Sequence, residues 1–330
     1  MTSPQPTRIV FLGCGQAARI HSRALRNIPG VQLAYASTDI GRADSLRREY
    51  NGVKSFGSYD EALYDRSIDV VIVATPTASH QELALRAVHA GKHVVIEKPA
   101  FLSASSANAV RDAATLRSRH VFVAENYIYK PIAALLRTLV AGGSLGEVRF
   151  VSLNATRWQP AVGWRAIPAL SGGGALFEAG VHWVSFAARL GLDVSAIQGW
   201  PVGSNAGGDR SSLVVLQYAN GAVATLAHSW ELRGTLRGAR LSKVQGTHGS
   251  LTFESNGFAS VATGRSTRFR THLRDTLGYR AMHSDFLRVV RNGGDALYTL
   301  DMAQADLALL ETAQAGLSMN NPSDRPVALL

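Results

Sequence analysis

Over residues 8–124, short apolar runs alternate with amphipathic stretches. Residues 9–12, 31–37, 53–56, 69–75, 91–96 and 120–124 carry the apolar runs expected of strands. Between them, residues 16–27, 41–50, 59–63, 81–90 and 103–116 read as helices. Ser58 with Glu61 three places on forms a capping-box pattern at the third of these. Strands that are nearly all apolar, separated by helices, are the pattern of a doubly wound parallel α/β sheet.

The pattern changes near residue 125. An apolar helix is expected over 131–140, stopped by Gly142 and Gly143. Alternating segments at 148–158, 194–202, 211–218, 222–231, 240–245 and 250–254 read as strands, with an Asn220-Gly221 hairpin signal between two of them. Further helices are expected over 175–190, 278–290 and 301–317. Consecutive strands with helices set apart predict an α+β domain on an open, mostly antiparallel sheet. A chain of 330 residues exceeds one ordinary core, so two domains are expected, residues 1–125 and 126–330.

The first strand ends in Gly13-Cys-Gly15-Gln16-Ala17-Ala18, a G-x-G-x-x-A turn opening a helix. That context is the dinucleotide-binding fingerprint. Gly13 permits the tight turn, Gly15 admits a pyrophosphate close to the backbone, and the helix N-terminus offers N–H donors there. Ser37, Thr38 and Asp39 close the second strand, with Arg42 beside them. An acid at this place takes the ribose 2′-hydroxyl of NAD, whereas small polar residues with an arginine accept the 2′-phosphate of NADP. The expected cofactor is therefore NAD(P)(H), with the lean to NADP(H). Thr75-Pro76 ends another strand, followed by His80, and Glu97-Lys98-Pro99 ends the next.

Lys98, at a strand end beside that turn, is suited to polarise a carbonyl or move a proton. Residues 172–182 run Gly-Gly-Gly-Ala-Leu-Phe-Glu178-Ala-Gly-Val-His182. Glu178 and His182 stand four apart, on one face of a regular helix, and histidine titrates near neutral pH. No third ligand follows at a suggestive spacing, so no metal is expected. Trp164-Arg165 lies just upstream, an arginine able to clamp a phosphate or the nicotinamide amide. His228, His248 and His283 show no partner pattern and read as packing or surface residues.

Composition narrows the partners. The net charge is +10, but arginines such as Arg265, Arg268, Arg270 and Arg274 form only short clusters without an aromatic platform. Nucleic acid is therefore not expected, and the positive field suits an anionic small molecule equally. No apolar run reaches the ~20 residues that span a bilayer. One cysteine excludes an internal disulfide. Residues 1–7 lack an apolar signal region, so the cytoplasm is the expected compartment.

Together, Gly13-x-Gly15-x-x-Ala18, Thr75-Pro76-x-x-x-His80, Glu97-Lys98-Pro99 and the glycine–Glu178–His182 motif resemble the Gfo/Idh/MocA family, the glucose–fructose oxidoreductase and inositol dehydrogenase group. The resemblance covers roughly residues 8–318. It implies hydride transfer between NAD(P) and a hydroxyl or ketone of a sugar, sugar nucleotide or cyclitol. It implies Lys98 as the catalytic lysine, His182 as general acid/base with Glu178 beside it, and Trp164 and Arg165 at the nicotinamide side. It also implies a homodimer or homotetramer assembled through the C-terminal sheet. The chain departs from the family's pattern in three places: Glu178 replaces the usual Asp, Thr77 a frequent Asn, and Ser185 a frequent second Asp. These departures bear on the substrate. The competing functions are reduction of an imine or conjugated double bond, and a non-catalytic NAD(P)-binding regulator.

Overall fold

In a computed structural model, residues 5–203, 209–233 and 239–319 are described. The described residues form two compact units, those up to 125 with 279–304, and those of 126–278 with 305–319. The expected second domain, 126–330, is thus divided: residues 279–304 pack with the first unit.

The first unit runs β1 (Thr7–Leu12), α1 (Gln16–Leu25), β2 (Val31–Ala36), α2 (Ile40–Glu49), β3 (Lys54–Phe56), α3 (Tyr59–Tyr64), β4 (Val70–Val73), α4 (His80–His89), β5 (His93–Ile96), α5 (Ser106–Leu116) and β6 (Val121–Val123). The strands form one parallel sheet in the order β3-β2-β1-β4-β5-β6, the doubly wound order with its switch point at β1 and β4. Val10, Phe11, Leu12, Val71, Ile72, Val73, Val94 and Ile96 are buried, because helices cover both faces and leave no polar side to alternate. Ser58 caps α3 through the Glu61 N–H, as its sequence pattern predicts.

The second unit contains α6 (Pro131–Ala141), β7 (Val148–Thr156), α7 (Pro168–Ser171), α8 (Val181–Ala188), β8 (Val194–Pro201), β9 (Ser211–Tyr218), β10 (Val223–Ser229), β11 (Leu241–Gly246), β12 (Ser250–Glu254), β13 (Ala259–Thr263) and β14 (Arg268–Thr271). Its eight strands follow the order β14-β13-β12-β11-β7-β10-β9-β8. All neighbours are antiparallel except β7 and β10. The helix expected over 175–190 opens with a π turn, Leu176–Gly180, before α8.

Two helices follow, α9 (Tyr279–Asn292) in the first unit and α10 (Leu300–Met319). In the second unit α10 lies against one face of the sheet. Glycine makes this possible: a Cβ at Gly199 in β8 would sit 2.3 Å from the Ala313 carbonyl oxygen, and one at Gly316 2.7 Å from that of Gly199. The opposite face carries Phe150, Leu213 and Leu241, which are 61%, 37% and 67% exposed. Strand register places all three on that face.

Gly199→Ala should therefore destabilise the protein by about 1–3 kcal/mol, the usual cost of overpacking, and lower the thermal midpoint. Gly15→Ala is the control. Its backbone is at φ −86° and a Cβ there meets no atom within 4 Å, so calorimetry should show its midpoint unchanged.

Candidate active site

Parallel strands bring their C-terminal ends to one edge, and the first group of candidate residues gathers there. Gly13, after β1, has φ +98°, and a Cβ would lie 2.7 Å from the Ala74 carbonyl oxygen. Only glycine fits between β1 and β4 at this point. Gly15 is different, because no protein atom crowds it. It caps α1 without a side-chain hydrogen bond, and no acid stands in the first turn. Gly15, Gln16 and Ala17 thus present backbone N–H groups and an open, positively polarised helix end, fitting the pyrophosphate of a dinucleotide. Ala18 is fully buried, keeping α1 close to the sheet. Burial pushes the Cys14 thiol up to about 11, so it is not a thiolate at neutral pH.

At the end of β2, Ser37 is buried and its hydroxyl accepts the Asp39 N–H at 3.2 Å. Thr38 follows, exposed. The Asp39 carboxylate caps α2 through the N–H groups of Gly41 (2.9 Å) and Arg42 (3.4 Å), and also meets the Arg42 guanidinium at 3.4 Å. The carboxylate nearest the strand end is therefore engaged by its own helix.

Thr75 and Pro76 follow β4. His80 is buried, with Nε2 2.8 Å from the Thr75 carbonyl oxygen and Nδ1 3.0 Å from that of Pro99. It ties the turn after β4 to the segment after β5. Burial holds its pKa below the usual imidazole value. Glu97 is also buried: its carboxylate lies 2.5 Å from His21 Nε2 and accepts the Lys98 N–H at 2.9 Å. Lys98 is half-buried and precedes a cis bond to Pro99. Both His80 and Glu97 thus act on the frame of the site.

The second group lies in the second unit. Arg165 Nε donates to the buried Glu178 carboxylate at 2.9 Å, and its guanidinium rests 4.6 Å from the centre of the Trp164 ring. Trp164, Arg165 and Glu178 are therefore one cluster. The π turn carries Glu178 and ends before His182, so the two do not share a regular α-helical face as the spacing predicts; such turns recur at functional sites. The π turn is held by Asp209, which accepts the Leu176 N–H at 2.8 Å with its side chain and the Ala175 N–H at 2.7 Å with its carbonyl.

His182 is half-buried and stacks face to face on Tyr127, with centroids 4.3 Å apart and planes 9° apart. The Lys130 ammonium sits 3.8 Å from the same tyrosine ring. His228 on β10 is buried within electrostatic reach of His182, Glu178, Arg157 and Arg240. Burial pushes His228 down to about 3, with Arg157 adding to the effect. Its Nδ1 has no hydrogen-bond partner among the described residues.

Tyr127, Lys130 and Asp209 carry no sequence signal of their own. His228 does: it falls on the inward side of a strand with Ala224 and Leu226, where a polar side chain is costly. His283, expected to be a packing or surface residue without a partner pattern, is a buried packing residue, and it has a partner: its Nε2 lies 2.8 Å from His21 Nδ1. Among the described residues, no group of three His, Cys, Asp or Glu is placed to hold a metal, and no helix is long and apolar enough to cross a membrane.

Comparison with known proteins gives the family. Residues 7–125 match the oxidoreductase family with an NAD-binding Rossmann fold, and residues 133–252 match the GFO/IDH/MocA C-terminal domain. The chain is 26% identical to trans-1,2-dihydrobenzene-1,2-diol dehydrogenase of Xenopus tropicalis, over 74% of this chain and 76% of that one. It is 25% identical to levoglucosan dehydrogenase of Pseudarthrobacter phenanthrenivorans, over 76% and 74%. A levoglucosan dehydrogenase structure in complex with NADH superposes with a TM-score of 0.87 over 96% of this chain and 98% of that one, at 20% identity, a likeness of fold. The chain belongs to the Gfo/Idh/MocA family and is an NAD(P)-dependent oxidoreductase.

Proposed function

We propose that the protein is a dehydrogenase or ketoreductase that moves a hydride between nicotinamide and a hydroxyl or ketone carbon of a sugar, sugar nucleotide or cyclitol. The observation that carries this reading is His182: a half-buried imidazole stacked on Tyr127 and, like Glu178, within electrostatic reach of the buried His228. Dehydrogenases of levoglucosan and of a dihydrodiol among the relatives support a polyhydroxylated substrate.

Bound nicotinamide supplies the hydride acceptor or donor. The chain's own residues supply the rest. The open end of α1, with Gly15, Gln16 and Ala17, binds the pyrophosphate. Trp164 and Arg165 serve the nicotinamide side. Lys98 polarises the substrate oxygen, and His182 exchanges the hydroxyl proton. Tyr127 fixes the plane of the His182 ring. The π turn and Arg165 fix the Glu178 carboxylate.

Lys98→Met and His182→Asn test these roles. Each should lower turnover by ~10²–10⁴-fold, the usual worth of a general acid–base group, while cofactor affinity and the thermal midpoint stay near wild type. The assay follows nicotinamide absorbance with levoglucosan, inositols and keto-sugars. Near-normal turnover in either variant removes that residue from the mechanism.

The finer cofactor preference proposed is for NADP(H). Ser37 ends β2 without a carboxylate, Asp39 is spent on α2, and the exposed Arg42 is at hand for a 2′-phosphate. Arg42→Ala should weaken NADPH about tenfold or more and leave NADH nearly unchanged, read as two dissociation constants. Tighter binding of NADH than NADPH by the wild type would assign Asp39 to the ribose instead.

The proposed assembly is a homodimer or homotetramer through the outer face of the eight-stranded sheet, in the cytoplasm. The exposed Phe150, Leu213 and Leu241 support it, since such side chains gathered on one face mark interaction surfaces. Phe150→Arg should reduce the mass measured by light scattering to that of the monomer. A wild type already monomeric at micromolar concentration would remove this part of the proposal.

A further inference from the structure

Three buried titratable side chains outside the proton steps above form one continuous line through the first unit. His283 Nε2 on α9 lies 2.8 Å from His21 Nδ1 on α1. His21 Nε2 lies 2.5 Å from one oxygen of Glu97, and the other oxygen accepts the Lys98 backbone N–H at 2.9 Å. His21 is 0%, His283 2% and Glu97 8% exposed. The line is wrapped in rings: the edge of Tyr279 meets His21 at 5.2 Å between centroids, Phe11 packs beyond at 6.4 Å, and Phe286 lies edge-on to His283 at 6.1 Å.

Such a line is costly. Each buried polar group forfeits water, and an apolar trio of similar volume is often as stable or more so. If α1 and α9 needed only to adhere, leucines would serve. What the polar line adds is direction. The hydrogen bond between the rings takes one proton, contributed by either ring. When His283 Nε2–H is the donor, a neutral His21 keeps its Nε2–H for Glu97; when His21 Nδ1–H is the donor, His21 must carry both ring protons to donate to Glu97 as well. With its first oxygen anchored there, the second oxygen is aimed at the N–H of the next residue. The other side of this segment is fixed by the sheet, where the Glu97 N–H donates to the Val73 carbonyl at 3.0 Å.

We infer that His21 and His283 are positioning residues for Lys98, acting through Glu97 to hold the backbone from which the lysine side chain projects. The inference rests on the reading of Lys98 as the residue that polarises the substrate oxygen. It also gives residues 279–304 a role: their packing with the first unit brings the far end of the line into place.

Electrostatics agree with the geometry. Burial alone pushes Glu97 up, but the His21 hydrogen bond and charge, then Lys98, outweigh it and hold the carboxyl down to about 2. The groups facing it are His21 from α1, His80 from α4 and Lys98 beside it. His283, behind His21, is held well below the usual imidazole range by burial and by His21, and stays neutral.

The test reads the Lys98 amide directly and needs no substrate. His283→Phe removes the hydrogen bond and keeps a ring; His283→Gln keeps a donor and an acceptor. Hydrogen exchange at single-residue resolution should show the Lys98 N–H exchanging about tenfold faster in His283→Phe, the order expected when a net hydrogen bond is lost. In His283→Gln it should stay within about threefold of wild type, and amides of β4 should be unchanged in both. His283→Leu replaces the phenylalanine variant should that one fail to fold. An unchanged Lys98 amide in the apolar variant, an equal change in the glutamine variant, or a parallel rise in β4 would each overturn the inference. Turnover, measured alongside, should fall about tenfold in the apolar variant at constant cofactor affinity and recover with glutamine. Lys98→Met in the same assay separates the two readings. If it keeps turnover, the role of Lys98 falls whatever the exchange shows; if it loses turnover and the exchange is unmoved, only the positioning role falls.

Discussion

The first unit depends on how closely its central strands are brought together where the chain leaves them. At Gly13 the backbone takes a left-handed turn under the Ala74 carbonyl, at a distance that no side chain allows. The Gly13 N–H donates to Ala36, and the Ala74 N–H donates to Leu12. One residue thus joins the ends of β2, β1 and β4. From that closure follow the direction of α1, the exposure of its first N–H groups and the alignment of Ser37, Thr75 and Glu97 along one edge. A parallel sheet does the rest, since every strand ends on the same side and every following loop starts there.

The parts legible in the sequence are those where one local rule decides. Six apolar runs with helices between them specify a parallel sheet, and the glycine turn, Ser58 cap and Asn220-Gly221 hairpin are read from a few neighbouring residues. What escapes the sequence depends on distant partners. The parallel pairing of β7 with β10 joins segments about seventy residues apart and has no turn to announce it. Strand β13 is made of small residues, half-exposed at most positions, and β14 is exposed throughout, so they lack a clear alternation of apolar positions. The π turn before α8 follows from Asp209 gripping Leu176 and Ala175 from more than thirty residues away. Helix α9 follows the second sheet in sequence but packs with the first unit, and its connection there runs through a histidine whose partner is 262 positions distant.

The candidate site shows the same division. Lys98, His182, Glu178 and the glycines stand in motifs, so residue type and spacing are enough to single them out. The residues that orient them do not. Tyr127, Lys130, Asp209, His21 and His283 act through contacts made only in the folded chain. Even among the motif residues, position and task separate. His80 and Glu97 are drawn inward and used on backbone groups, whereas Gly15 is left with open space around it.

Burial sorts the histidines by what each can do. His80 and His283 are enclosed and held below the ordinary imidazole range, His80 chiefly by its burial and His283 by burial and its neighbour. His228, enclosed on the inner face of the second sheet, is driven down to about 3. At neutral pH it is an uncharged imidazole, able to donate or accept a hydrogen bond but not to store a proton. His182 differs in being half-buried at the start of α8, with one ring face laid on Tyr127. Stacking leaves the edge of an imidazole, where both nitrogens lie, clear of the face that is covered. A group that moves a proton needs such an edge within hydrogen-bond reach of its partner. In the second unit the stack fixes the plane of the His182 ring, while the cost of burial holds His228 uncharged at neutral pH.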